Sequence, residues 1–142
     1  MPENFDLQDF LPYLLNLAAE EASLGFQVLY KTRYGMLRTE WRVLFHLGRY
    51  GEMTAKDICD RSRVHKTKVS RAVAKLEARR FLRRRVQDTD RRAEALALTD
   101  AGRAAYTDLQ AQAQAYDARL TAGFTPDEAQ ALRRALQRLA RL

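Results

Sequence analysis

At 142 residues the chain is long enough for one domain with a real core, and 46% hydrophobic against 30% charged residues exclude a disordered chain. No apolar run approaches the ~18 residues of a membrane span, and the acidic opening Met1–Asp6 lacks a signal peptide's basic start, so a cytoplasmic location is expected. The lone Cys59 excludes an internal disulfide or a multi-cysteine zinc site, and the net charge of +7 points to a polyanionic partner.

Leu7 to Tyr34 shows helical spacing, with Phe10, Leu14, Leu17, Leu24, Val28 and Leu29 on one broad apolar face. Pro12 stands near its start, and Gly35 suits its end. Thr39 is the expected N-cap of a second helix, Glu40 to about Arg49, with Trp41, Leu44, Phe45 and Leu47 facing inward. Thr54 is expected to cap a short third helix, with Asp57 as a near-capping-box partner and Ala55, Ile58 and Cys59 apolar. The fourth helix, about Lys66 to Arg80, buries Val69, Ala72, Val73 and Leu76 at spacings of three and four.

A strand pair should follow. Arg83–Val86 forms one arm, and the Asp-rich stretch from Gln87 to Arg92 reads as the turn. Ala93–Leu98 reads as the second arm, held by context because alanine is a poor strand former. Thr99 caps a fifth helix, Asp100 to about Ala122, stopped by Gly123. Thr125-Pro126-Asp127-Glu128 opens a last helix bearing Leu132, Leu136 and Leu139 on one face.

The charge is not spread evenly. Residues 1–37 hold 2 Lys/Arg against 5 acids, residues 38–98 hold 17 against 8, and residues 99–142 hold 6 against 5. The middle block carries the excess, which is the footprint of a nucleic-acid binder. Three short helices followed by a basic hairpin are the parts of a winged helix-turn-helix. In such a module the helix entering the major groove presents its N-terminal residues to the bases. Here that start is His65, Lys66, Thr67, Lys68, Ser70 and Arg71, with Val69 alone turned to the core; Lys75 lies further along. Lys and Arg neutralise phosphates or donate to guanine, and Thr and Ser reach phosphates, bases or the thymine methyl. Asp90, Arg91 and Arg92 form the second contact, because a narrow minor groove attracts arginine. The fold class is mainly α with a small β-hairpin wing (α+β), the winged helix-turn-helix flanked by N- and C-terminal helices.

Several fragments carry a family resemblance. Leu37-Arg38-Thr39-Glu40-Trp41-Arg42-Val43-Leu44 and Met53-Thr54-Ala55-Lys56-Asp57-Ile58 resemble the opening of the MarR (multiple antibiotic resistance regulator) domain. Thr67 to Glu77, the wing Asp88-Thr89-Asp90-Arg91-Arg92 and the exit Leu98-Thr99-Asp100-Ala101-Gly102 resemble it too, in the same order. The resemblance implies a single domain over 1–142, with a DNA lobe at 39–98 and a dimerisation lobe at 5–34 and 100–142. It implies an obligate homodimer, a major-groove helix at Lys66–Arg80, and an Arg92 in the minor groove braced by Asp90. It also implies a small aromatic or phenolic effector beside Tyr30, Trp41 and Phe45, residues for which core packing is the competing explanation. The chain departs from the family at Arg80, where a glycine usually stands.

Dimerisation is expected independently, since Leu132, Leu136, Leu139 and the Phe10–Leu17 stripe exceed what one small module can cover. Rival readings are a redox or metal sensor using Cys59, His46 or His65, an enzyme, and a non-specific architectural DNA binder. No Gly-rich phosphate loop, nucleophile set or paired carboxylates supports an enzyme. No cofactor and no membrane partner are expected.

Overall fold

The structure, a computed structural model, describes residues 4–87 and 90–142, and only the backbone of residues 87 and 90–93. A 3-10 turn at Leu7–Asp9 precedes α1 (Leu11–Tyr34) and α2 (Arg38–Tyr50). Then come β1 (Met53–Thr54), α3 (Ala55–Ser62) and α4 (Lys66–Ala78). The strands β2 (Leu82–Gln87) and β3 (Asp90–Leu98) lead into α5 (Asp100–Leu120) and α6 (Pro126–Leu139).

Local chemistry sets most of these boundaries. Pro12 lies in the first turn of α1 and breaks the expected Leu7–Tyr34 helix, so Phe10 is extended rather than helical. Gly35 closes α1 in the left-handed conformation, at φ 62°. The Thr54 hydroxyl accepts the Asp57 N–H at 3.1 Å, and the Asp57 carboxylate accepts the Thr54 N–H at 3.2 Å. Thr125 and Glu128 repeat this reciprocal pair at the start of α6.

Three expectations need correction. The N-cap of α2 is Leu37, not Thr39, because the Glu40 carboxylate reaches back to accept the Leu37 N–H at 2.8 Å and starts the helix earlier. The third strand begins at Asp90, which pairs with Gln87, so Arg91 and Arg92 lie in a strand rather than in the turn. The fifth helix stops at Leu120, where Thr121 caps it, ahead of Gly123. One element was not foreseen: β1 pairs Met53 with Leu96 and Thr54 with Ala95, completing a three-stranded antiparallel sheet in the order β1-β3-β2.

The core joins both halves of the chain. Val69, Val73 and Leu76 of α4 are buried with Val43, Leu44 and Leu47 of α2, Ile58 of α3, Leu82 of β2 and Leu96 of β3. Each full side-chain burial stabilises by about 1.5–3 kcal/mol. Tyr34 of α1 donates to Asp108 of α5 at 2.6 Å, and Arg33 grips the same carboxylate at 3.0 and 3.1 Å. Burial and then the Asp108 bond push the Tyr34 pKa up to about 12. The Tyr34 bond and the Arg33 charge hold the Asp108 carboxyl below its usual value, so stability from this lock fades as acid protonates it. At the far end of the chain, Arg63 donates to the Ala140 carbonyl at 2.5 Å and ties the end of α6 to the turn between α3 and α4.

The missing glycine has a structural consequence. Arg80 sits in the left-handed region at φ 65°. Its N–H bonds the Glu77 carbonyl and the Phe81 N–H bonds the Leu76 carbonyl, both at 2.9 Å, which is a Schellman closure of α4. The Thr99 hydroxyl donates to the Arg80 carbonyl at 2.6 Å and holds the turn in place. A residue with a Cβ pays about 1–2 kcal/mol for this conformation. Arg80→Gly is therefore expected to raise stability by about 1 kcal/mol, after the extra entropy of an unfolded glycine. The midpoint of urea unfolding measures this, and an unchanged or lower midpoint would contradict it.

Candidate nucleic-acid interface

The front of the molecule is built on α4. His65 caps the helix, its Nδ1 accepting the Thr67 N–H at 3.2 Å, so this residue shapes the helix start. Lys66, Thr67, Lys68, Ser70, Arg71 and Lys75 are exposed, while Val69 is 1% exposed and anchors the turn. At about 100° per residue, Thr67 and Ala74 lie opposite the buried stripe. Lys68, Arg71 and Lys75 fall to one side, and Ser70 and Glu77 fall to the other. None of Lys68, Arg71 and Lys75 has a salt-bridge partner among the described residues.

The wing is tied to this helix by ion pairs. Arg84 of β2 bonds Glu77 of α4 and Glu94 of β3, each at 3.1 Å. Burial works against the charge on Arg84, but the bonds to Glu94 and Glu77 outweigh it and raise its pKa. Arg84 faces Leu96 across the strands, which makes Glu94 its diagonal neighbour. Arg85 pairs with Glu52 at 2.6 Å. Two of the three successive arginines therefore brace the wing rather than stand free. The backbone of Asp90, Arg91 and Arg92 runs in β3, and their side chains lie outside the described residues, as do Asp88 and Thr89 entirely.

Sequence reasoning overlooked the Glu77–Arg84–Glu94 triad. The signs alternate along the chain, but only the strand register brings Glu94 to Arg84. It also overlooked Arg38, which lines a groove against the Lys68 side of α4. The expected effector residues separate. Trp41 and Phe45 line a groove between α1, α2 and α5, with Phe26, Tyr116 and Leu120. Tyr30 is not among the residues lining it. At 1% exposure it belongs to the core beside Phe26 and Trp41, and its hydroxyl has no partner among the described residues.

Cys59 is half-buried and packs against the core. The His46 Nδ1 lies 2.6 Å from the Arg42 carbonyl. Among the described residues no group of three metal-ligating side chains converges, and no helix is long and apolar enough to cross a membrane.

A helix-turn-helix, a strand pair joined to its second helix by an ion-pair triad, and a cationic front define a winged helix-turn-helix, a DNA-binding class of fold. A family model described as MarR family matches residues 34–93. The uncharacterized HTH-type transcriptional regulator YwaE of Bacillus subtilis is 27% identical over 107 residues, which span 75% of this chain and 63% of that protein's length. A crystal structure of a MarR/EmrR family transcriptional regulator from Acinetobacter is 25% identical, with TM-score 0.85 and 96% of both chains covered. Bordetella bronchiseptica BpsR, in a structure concerned with regulation of its DNA binding by 6-hydroxynicotinic acid, shares the fold at 21% identity. Its TM-score is 0.80, with 92% of this chain and 98% of that chain covered. The winged segment, residues 34–93, is therefore the part of the chain that is similar to the MarR family of transcription regulators.

Proposed function

We propose that this chain is a cytoplasmic, homodimeric repressor that binds a pseudo-palindromic operator in double-stranded DNA. The observation that carries the reading is the start of α4. Lys66, Thr67, Lys68, Ser70 and Arg71 all face solvent there, around a single buried Val69. In the proposal residues 39–98 read the DNA, while 5–34 and 100–142 hold two copies together. Lys66, Thr67, Ser70 and Arg71 enter the major groove, His65 orders the helix start, and Lys68 and Lys75 supply further positive charge. Arg91 and Arg92, with Asp90 as a brace, reach the neighbouring minor groove.

The second copy is supported by unpartnered apolar surface. Leu14, Leu17, Leu24 and Val28 of α1 are exposed, as are Leu132, Leu136 and Leu139 of α6. Patches of this kind mark interfaces. Two-fold symmetry then sets half-sites about one DNA turn apart, ~34 Å.

A small aromatic acid as releasing effector is the finest part of the reading. The groove holding Trp41 and Phe45 has a volume of about 280 Å³, and the cleft beside it, with His46, Arg49 and Tyr106, has about 490 Å³. Together they suit a single-ring ligand. The regulation of BpsR by 6-hydroxynicotinic acid supports this class of ligand. Release requires the ligand to prefer the conformation that binds DNA poorly.

Selection of bound fragments from the organism's own genome tests the proposal. Enrichment of two-fold-symmetric sites is expected, and equal binding of selected and random duplexes at matched salt would favour an architectural binder instead. On a selected site, Arg92→Ala is expected to weaken binding at least tenfold, the scale of one charge-assisted contact. Unchanged affinity would remove the wing contact.

A further inference from the structure

The groove between α2 and α4 has a composition that base reading does not require. Arg38 and Thr39 line one wall, and Lys68, Arg71 and Lys75 line the other. Four cations from two elements thus face a common space. Among the described residues Arg38 has one stretched partner, Glu20 at 3.9 Å. Glu40 is the acid among the lining residues; it is 3% exposed, and one of its oxygens is occupied by the Leu37 N–H at 2.8 Å.

Like charges gathered this closely repel one another, and an anion between them relieves the repulsion. The direction of the groove identifies the anion. Lys68 and Lys75 lie about 90–110° round α4 from the buried stripe, on its edge rather than its front, where Thr67 and Ala74 stand. When a helix lies in a major groove, its front meets base edges and its sides meet the flanking phosphates.

We propose that the groove between Arg38–Thr39 and the Lys68–Lys75 edge of α4 seats a backbone phosphodiester of duplex DNA. This rests on the DNA-binding reading above and divides its residues. Lys68 and Lys75, together with Arg38 from outside the helix-turn-helix proper, position the protein without reading sequence. Lys66, Thr67, Ser70 and the outer side of Arg71 are left to discriminate bases. Arg38 then acts as a clamp that fixes how deeply α4 enters the groove, because a phosphate held between α2 and α4 cannot move relative to either.

The test compares Arg38→Ala, Lys75→Ala, the double variant and Arg38→Lys with the unmodified protein. Binding is measured by fluorescence anisotropy on a selected genomic duplex and on a random duplex across a salt series, and thermal melts check folding. Each alanine variant is expected to bind both duplexes about tenfold more weakly. The ratio between the duplexes should stay constant, and the double variant's salt slope should fall by about one. The double loss should be smaller than the product of the single losses, since both cations serve one phosphate. Arg38→Lys should restore most of the slope.

Unchanged affinity and slope in the alanine variants would overturn the clamp, and so would a loss confined to the selected duplex, which would mean base reading. Titration with inorganic phosphate separates the other source of the same chemistry. Saturable, Arg38-dependent phosphate binding with DNA affinity untouched would make this a free-anion site and overturn the proposal. An unmodified protein that bound neither duplex at low salt would overturn the DNA reading itself, and the clamp with it. Variants that match a DNA-binding parent overturn the clamp alone.

Discussion

Gly102→Ala is expected to cost about 3 kcal/mol of stability and to lower the melting temperature by roughly 10 °C. Gly102 lies in the first turn of α5, where the Thr99 hydroxyl accepts its N–H at 3.1 Å. A methyl group there would overlap the carbonyl oxygen of Phe81, with Leu98 close behind. The obstacle is backbone, and it cannot step aside. The Phe81 N–H is bonded to Leu76 and its carbonyl to the Thr99 N–H, so the turn after α4 is held from both sides. Relief would require the start of α5 to lift from the wing, which disturbs the seat of α4. A calorimetric melt measures the effect. A melting temperature left unchanged, or raised by about 3 °C as the ordinary preference of a helix for alanine over glycine would do, would show that the contact is looser than the structure places it.

If the chain dimerises as proposed, Leu136→Glu is expected to convert that dimer to monomer and to weaken binding to a two-half-site operator by about a hundredfold or more. Leu136 is 41% exposed on α6, a helix whose one buried residue is Ala129. A glutamate there remains hydrated in the single chain, so folding should change little. In an interface between two copies the same charge loses its water and finds no partner. The second half-site is engaged at the effective concentration that the dimer provides, and losing it removes a factor of about 10²–10⁴. Sedimentation analysis and anisotropy on one- and two-half-site duplexes read the two effects separately. A variant that stayed dimeric would move the interface away from α6. A parent that was monomeric at micromolar concentration would overturn the dimer altogether.

Both expectations depend on how the elements are placed, and the sequence carried those elements unevenly. The α4 stripe at Val69, Ala72, Val73 and Leu76 was legible because a helix with one buried side repeats every three to four residues, and all four are buried. Thr54–Asp57 and Thr125–Glu128 were legible because a capping box is complete within four residues. The start of α2 was misplaced at Thr39, since Glu40 can serve as a helical residue or as a cap and only the path of the preceding chain decides. The two-residue β1 had no signal of its own, because its strand character comes from pairing with Leu96 and Ala95. Gly102 entered only as part of the exit motif, and the fold makes it a point of close approach to Phe81.

Taken by itself, the sequence determined what depends on near neighbours: helix periods, caps, the basic middle block and the exposed start of α4. It also located the departure at Arg80, because a helix end that lacks its glycine is a local fact. Tertiary structure alone decided that Arg84 is bound into a triad with Glu77 and Glu94, that Tyr30 belongs to the core while Trp41 and Phe45 line a groove, and that Arg38 faces Lys68 and Lys75. The reason is physical. A hydrogen-bonded helix turn reports on residues three and four apart, whereas a charge answers to whatever stands within a few ångströms of it in space, and chain folding assigns those neighbours from distant positions.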